Sequence, residues 1–355
     1  MIPNRDALNE AMEIAKDNFA IFDGYAKAFS VLSQHNDIAV SVSGGKDSDL
    51  VVDIISRLDT DKKCRYIWFD TGLEYQATKT HLAELEEKYG ITIERYKAVK
   101  PIPVSIKEHG VPFVSKLVSN MIERLQKYDF KWEDRPYEEL AEEYPKCNSA
   151  IKWWCNNKDV QSGYSFSMFN INYNRGLKEF LIANPPPFKI SSKCCKYAKK
   201  DVSHNFIKEN DIDLMITGIR KAEKGIRVAQ YKTCFDYHED ACDQYRPLFW
   251  YTNADEEEYD KLFNIKHSDC YEVWGFTRTG CVGCPYNRQF EEELETVRER
   301  EPRLYKACQH IFGQSYEYTR RYRRFQKALK EDKLIEIDGK QYTLDDLLED
   351  EDTWF

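Results

Sequence analysis

The hexapeptide Ser43-Gly44-Gly45-Lys46-Asp47-Ser48 follows directly on a short apolar run, Asp37-Ile-Ala-Val-Ser-Val-Ser43. That run predicts a buried strand, and residues 47–58 beyond it return to helical periodicity. Two adjacent glycines let the chain turn tightly and expose consecutive N–H groups. A strand, a glycine turn and a helix N-terminus in that order form a cradle for an anion such as phosphate or sulfate, because the N–H groups and the helix dipole both favour negative charge. Ser43 and Ser48 can donate hydroxyl hydrogen bonds, and Lys46 adds a point charge. Asp47 is suited to hold Mg2+ or to position the loop. The spacing is not that of a Walker A loop, which needs Gly five residues ahead of the Gly-Lys pair and Ser or Thr after it; here Val40 and Asp47 stand in those places.

The pattern around the loop is that of a parallel, doubly wound sheet. Residues 5–33 read as helix, with Leu8, Met12, Ala15, Phe19 and Phe22 at helical spacing. Residues 64–70 read as a second strand, 75–89 as an amphipathic helix closed by Gly90, and 91–98 as a third strand. Residues 105–190 are mainly helical and read as an insertion. A helix at 195–210 and strands at 211–217 and near 244–248 resume the alternation. Residues 286–331 read as helix again, and the acidic stretch 344–355 as a peripheral helix or tail. The expected organisation is an N-terminal helical segment (1–33), an α/β nucleotide-binding domain (34–285, with the insertion at about 105–190) and a C-terminal helical region (286–355).

Composition narrows the function classes. The 355 residues carry a formal net charge of −9, which argues against coating nucleic acid as the main activity. No apolar run is long enough to span a membrane, and Arg5, Asp6, Glu10 and Glu13 stand where a signal peptide needs apolar residues. A cytoplasmic protein without membrane contact is expected. Eleven cysteines in such a chain point to metal or thiol chemistry before a disulfide framework.

Four motifs now share one order. Besides the glycine loop there are Phe69-Asp70-Thr71-Gly72-Leu73-Glu74-Tyr75, Thr217-Gly218-Ile219-Arg220 with Glu223 and Arg227, and Arg246-Pro247-Leu248-Phe249-Trp250 with Asp255 and Tyr259. Together they resemble the PAPS reductase-like family of the PP-loop ATP pyrophosphatase superfamily. The resemblance implies a mainly parallel five-stranded sheet with an adenine nucleotide (ATP, APS or PAPS) across the C-terminal strand ends. It places Ser43–Ser48, Asp70, Thr71, Gly72, Gly218 and Arg220 at the nucleotide, and gives catalytic roles to Lys46, Asp47, Arg220 and Arg227. Arginine forks suit phosphate and sulfate, whereas surface salt bridging is the plainer alternative.

The cysteines add a second constellation. Cys281-Val-Gly-Cys284 places two sulfurs within reach of one metal, and Cys194-Cys195 offers two more. Four thiolates suit a [4Fe–4S] cluster or zinc. The set resembles the Cys-Cys … Cys-x-x-Cys arrangement of assimilatory APS reductases, which implies a [4Fe–4S] cluster next to the substrate. Cys270 and Cys155 are substitute ligands, Cys147 is unassigned, and Cys64, Cys234, Cys242 and Cys308 read as structural.

One departure separates the chain from the reductases, which attack the phosphosulfate with a cysteine near the C-terminus. Here the last cysteine is Cys308, and residues 309–355 hold none. Cys308 and His310, two apart on a helix, point to different sides. The long insertion is closer to the phage and mobile-element members of the family. Three activities therefore stand open: reduction of a sulfated nucleotide with an external thiol, ATP α,β-cleavage activating an acceptor such as a nucleic acid for sulfur transfer, and a non-catalytic partner subunit. The basic stretch Arg320–Lys327 offers phosphate contacts to a nucleic acid, or else is a solvated face paired with the acidic tail, with Tyr318, Tyr322 and Phe325 packed inward. Trp153 and Trp154 are expected in a core.

Overall fold

A computed structural model of the chain describes residues 2–156, 169–223, 228, 230–239, 241–331, 335–337 and 340–342. Arg227 and the acidic stretch from 344 lie outside them. The chain divides into two compact units, Met1–Ile102 with Lys196–Val282 and Pro103–Cys195 with Gly283–Phe355.

The first unit is built on a six-stranded sheet in the order β3-β2-β1-β4-β6-β5. Its strands are β1 (Ile38–Ser41), β2 (Arg65–Asp70), β3 (Ile93–Lys97), β4 (Leu214–Ile216), β5 (Phe235–Asp236) and β6 (Asp243–Tyr245). Five of them run parallel, with Val40 opposite Tyr66 on one side and Ile216 on the other. The sixth, β5, is a two-residue antiparallel edge. The central strand is apolar on both faces because both are covered. Ile38, Val40 and Val42 pack with α1 (Arg5–Ile14), α2 (Phe19–Ser33), α3 (Lys46–Leu58) and α4 (Gln76–Tyr89), while Ala39 points to the opposite cluster with Ile67, Phe206 and Met215. Phe206 lies on a helix of the second face, Asp201–Glu209. That alternation makes the sheet doubly wound and gathers the loops after β1, β2 and β4 at one edge.

Three expectations are corrected. The helix read over 5–33 is two helices, because the Asn18 side chain accepts from the Ile21 N–H at 3.1 Å and starts α2 afresh. The helix read over 195–210 begins at Lys193, passes through a π turn at Lys196–Lys200 and becomes α-helical at Asp201–Glu209. The strand near 244–248 stops at Tyr245, two residues before Pro247.

The second unit is helical. Its apolar core gathers Phe113, Ile122, Trp153, Trp154, Phe180 and Tyr318, among others. Trp153 and Trp154 are 1% and 0% exposed, so both pack in this core. The long helix Pro302–Glu331 turns Tyr318, Tyr322 and Phe325 into the same core.

Candidate active site

The glycine loop sits between β1 and α3, and its shape follows from its smallest residues. Gly44 is left-handed, with φ +68°, and a Cβ there would stand 2.7 Å from Thr78 Cγ2. Gly45 caps α3 in an extended conformation without a side-chain cap bond. Ser48 braces the turn: its hydroxyl accepts from the Ser43 and Gly44 N–H groups, each at 3.1 Å. Ser48 thus shapes the loop. From the end of β4, Gly218 closes against the same turn, since a Cβ on it would lie 2.9 Å from the Asp47 carbonyl carbon and oxygen.

Asp47 and Arg220 meet in an ion-paired cluster. The Arg220 Nε donates to Asp47, its second terminal nitrogen lies 2.6 Å from Glu256 Oε2, and its first donates to Asn253 Oδ1 at 3.0 Å. The Arg220 N–H donates to Glu223 Oε1 at 3.1 Å, and the residue is 8% exposed. Burial raises the Asp47 carboxyl to about 6, with Arg220 opposing and Glu256 and Glu223 adding to the rise. The guanidinium therefore engages two carboxylates and an amide, and Asp47 is held to the loop.

At the end of β2, Asp70 Oδ1 accepts the Gly72 N–H at 2.8 Å, and the buried Thr71 donates to Glu74 Oε1 at 2.5 Å. Gly72 is left-handed, with φ +79°, and a Cβ there would press on Pro101 at 2.8 Å. Burial pushes the Glu74 carboxyl up, against the pull of Lys199. In the Arg246–Trp250 motif, Arg246 is buried, bonds Asp236 at 2.6 Å and covers the Tyr231 ring. Asp255 completes a capping box with Thr252, and the Tyr259 hydroxyl donates to Asp53 at 2.7 Å; both are structural.

Residues missed in the sequence line the loop as well. Tyr271 and Thr279 bring their hydroxyls together at 2.6 Å, and the Tyr271 oxygen is 3.2 Å from where a Gly45 Cβ would sit. Lys46 Nζ lies 5.5 Å from the Tyr271 ring centroid. Below the loop Asp49 is fully buried between two histidines. His267 Nδ1 bonds Asp49 Oδ2 at 2.8 Å, and His81 Nε2 lies 3.0 Å from the same oxygen, off the hydrogen-bond line. His267 Nε2 is 3.1 Å from Asp260. Burial works against the His267 imidazolium, but the bonds to Asp260 and Asp49 outweigh it and raise the ring to about 9. Isolated histidines give no sequence signal; only the fold brings them together.

The proposed metal ligands are placed as follows. Cys281 is half-buried at the end of the first unit, next to Val282, whose N–H donates to the Leu73 carbonyl at 3.3 Å. Cys194, Cys195 and Cys284 belong to the second unit, Cys194 buried and the other two half-buried. All three lie close enough to Tyr286 for their charges to act on its hydroxyl. Burial first, then the Cys194 sulfur, hold that hydroxyl well above the ordinary phenol range. Gly283 is left-handed, with φ +59°; its N–H donates to Glu293 Oε1 at 2.6 Å, and its carbonyl accepts from Tyr316. Among the described residues, no three His, Cys, Asp or Glu side chains stand close enough together to hold a metal ion as they lie. Of the substitute ligands, Cys155 packs in the core of the second unit and Cys270 is buried in the first. Cys147 is buried with its sulfur 3.7 Å from the Tyr144 carbonyl.

The basic stretch is engaged within its own unit. Arg320 forms a fork with Glu291 at 2.9 Å twice, Arg321 bonds Asn184 at 3.1 Å, and Arg323 bonds the Arg288 carbonyl at 2.7 Å. Cys308 is fully buried and His310 exposed, so they do not pair.

A family model described as the phosphoadenosine phosphosulfate reductase domain matches residues 37–152 and 156–287. An uncharacterized protein of Methanocaldococcus jannaschii is 31% identical over 114 residues, which cover 30% of this chain and 23% of that relative's length. Among solved structures, a PAPS reductase from Candida auris in a phosphate complex is 13% identical, covering 77% of this chain and 94% of its own, with a TM-score of 0.40. An NH3-dependent NAD synthetase from Campylobacter jejuni is 12% identical, covering 94% and 95%, with a TM-score of 0.31. A U34-tRNA thiolase from Methanococcus maripaludis with its [4Fe–4S] cluster is 14% identical, covering 91% and 83%, with a TM-score of 0.35. Among the described residues, no helix is long and apolar enough to cross a membrane. The family model spans most of the chain and both segments that carry the loops of the sheet edge, so the chain belongs to the phosphoadenosine phosphosulfate reductase domain family.

Proposed function

We propose that the chain is an enzyme that binds an adenine nucleotide in the loop Ser43–Ser48 and acts in sulfur metabolism or sulfur transfer. The observation that carries this reading is the loop: Gly44 is left-handed, α3 begins without a side-chain cap, and Lys46 stands at the first helical position. Phosphate or sulfate oxygens would accept from the loop N–H groups, with the Lys46 charge beside them. The turn Asp70-Thr71-Gly72 would lie at the adenosine, and Gly218 and Arg220 would hold the loop in shape through Asp47. Arg227 is assigned to the phosphates on the family motif alone.

Between the reactions open to the family, Cys308 favours ATP cleavage. A reductase that supplies its own nucleophile needs a thiolate, and the Cys308 thiol is pushed up to about 12, first by burial and then by Glu293 and Glu301. In ATP cleavage an acceptor oxygen bonds to the α-phosphorus, the bond from that phosphorus to the bridging oxygen breaks, and pyrophosphate leaves with the electron pair. Catalysis then rests on positioning and on neutralising charge. Mg2+ enters with ATP as part of the substrate. The acceptor is a nucleic acid or a small molecule.

Cys194, Cys195, Cys281 and Cys284 would hold a [4Fe–4S] cluster, with zinc as the other metal such donors take. The support is the donor chemistry, four thiol sulfurs in a Cys-Cys and a Cys-x-x-Cys pair. Such a cluster would supply an electron or carry a sulfur atom.

The test is product analysis under anaerobic conditions with Mg2+ and ATP, and separately with APS and PAPS plus a thiol reductant. AMP and pyrophosphate from ATP are expected. Sulfite from APS or PAPS would make the chain a reductase with an external nucleophile. Nucleotide binding without either product would make it a non-catalytic partner subunit.

A further inference from the structure

Three hydroxyls converge on Gly45. A Cβ there would stand 3.2 Å from the Tyr271 oxygen, 3.4 Å from Ser43 Oγ and 3.6 Å from Thr279 Oγ1. The backbone at Gly45 is extended, with φ −101° and ψ 159°, a conformation open to any residue. Its missing side chain therefore serves space: it lets the hydroxyls come up to the loop. Ser43 belongs to the loop itself, but Tyr271 and Thr279 arrive from a separate segment, and that segment is braced. The Tyr271 N–H donates to the Ser268 carbonyl at 2.8 Å, and the Phe276 N–H to the Cys270 carbonyl at 2.9 Å. Gly275, left-handed with φ +72°, turns the chain back, and Thr279 returns to Tyr271, hydroxyl to hydroxyl at 2.6 Å. At the bend, the Trp274 and Phe276 rings each lie 5.8 Å from that of Tyr75, the residue that caps α4.

Two hydroxyls carry two protons, and the bond between them uses one. Whichever way that bond runs, the second proton remains to be donated. Both residues are half-buried, so a ligand on the loop can reach them. Lys46 Nζ lies 5.5 Å from the Tyr271 ring centroid and, among the described residues, pairs with no carboxylate. Arg220, by contrast, is spent on Asp47, Glu256 and Asn253. The groups left to meet an anion are the loop N–H groups, the Lys46 ammonium and the hydroxyl pair. We propose that Tyr271 and Thr279 act as one donor, giving a single shared hydrogen bond to an oxygen of the phosphate or sulfate group seated on the loop. This rests on the nucleotide reading above and adds two binding residues to it. A hydroxyl donating to a charged oxygen makes a stronger bond than one between neutral groups, and a braced donor loses little freedom in making it. A pair that only closes its own turn would support every ligand of the site alike. A donor to the anion supports only ligands that carry the anion.

The test uses the full chain as wild type, Tyr271→Phe, Thr279→Val, the double variant, Thr279→Ser and Lys46→Ala. Affinities for ATP, PAPS and pyrophosphate are measured by calorimetry, and that for adenosine by saturation-transfer NMR. Tyr271→Phe and Thr279→Val should each weaken the anionic ligands that bind wild type by about tenfold and leave adenosine unchanged. The double variant should lose no more than the weaker single variant, because one bond is shared. Thr279→Ser, which keeps a hydroxyl, should restore most of the affinity lost in Thr279→Val. Losses that multiply in the double variant would mean two separate contacts and overturn the shared one. Adenosine and pyrophosphate weakened alike would make the pair a brace of its own turn and overturn the proposal. Unchanged affinities in the hydroxyl variants, with Lys46→Ala weakened, would overturn it and leave the loop reading standing. Wild type that binds none of the anionic ligands would overturn both readings together.

Discussion

Gly218 and Asp47 meet backbone to backbone, with 2.9 Å between the position of a Gly218 Cβ and the Asp47 carbonyl carbon and oxygen. Neither atom group is the end of a flexible side chain, so an added methyl must move the loop. Gly218→Ala should cost about 1–3 kcal/mol, the usual range for forced overpacking, and should weaken nucleotide binding as the loop N–H groups lose their alignment. Gly280→Ala, where no atom lies within 4 Å, is the matched control and should change neither. Urea unfolding and equilibrium titration with ATP read both effects.

Arg220 serves the loop through its partners. Removing the guanidinium leaves the Asp47 and Glu256 carboxylates facing each other in a site from which the arginine is almost fully withdrawn from water. Arg220→Ala is expected to destabilise the chain by about 3–5 kcal/mol, the cost of breaking a buried ion pair. A variant with wild-type stability that merely binds nucleotide less well would instead make Arg220 a direct phosphate ligand. Denaturant unfolding beside binding separates the two roles.

The fold was legible where local pattern and tertiary environment agree. The run Ile38–Ser41 reads as a buried strand because both sheet faces are covered, and Gly44 and Gly45 read as a turn because few other residues fit there. Legibility fails where a partner is distant in sequence. Asn18 breaks the first helix while its amide bonds Asp255 and Glu258, more than 230 residues away. The fork from Arg320 to Glu291 joins residues 29 apart that no local pattern pairs. Arg220 carried the right charge for a phosphate site, but no spacing rule announces Asn253 and Glu256 on its other side. Asp49, His81 and His267 were silent for the same reason.

The histidine pair makes stability depend on pH. His267 rises from an ordinary value of 6.5 to about 9 in the folded chain, held by Asp260 and Asp49 against burial, and His81 is raised in the same direction. A group raised on folding contributes its full stabilisation below the unfolded value and loses it as pH climbs through the folded one. The His267 contribution is therefore complete near pH 6 and gone above pH 9, on the order of 3 kcal/mol. The unfolding free energy of wild type minus that of His267→Gln should shrink across this window. A difference that stays flat from pH 6 to 9.5 would mean the ring is not charged in the folded chain.

Gly283 offers the sharpest pairwise test. Its φ of +59° lies in the left-handed region, and a Cβ there would stand 2.5 Å from the Tyr316 oxygen and 3.1 Å from Cys308 Sγ. The backbone penalty alone is about 1–2 kcal/mol for a residue with a side chain, and the contact with Tyr316 adds to it. Gly283→Ala should thus lower stability by roughly 2–4 kcal/mol. Tyr316→Phe alone loses the hydroxyl that bonds the Gly283 carbonyl and should cost about 1 kcal/mol. In the double variant the missing oxygen makes room for the new methyl, so the combined loss should fall short of the sum of the two single losses. Strict additivity would show that the methyl is accommodated by a shift of the turn instead.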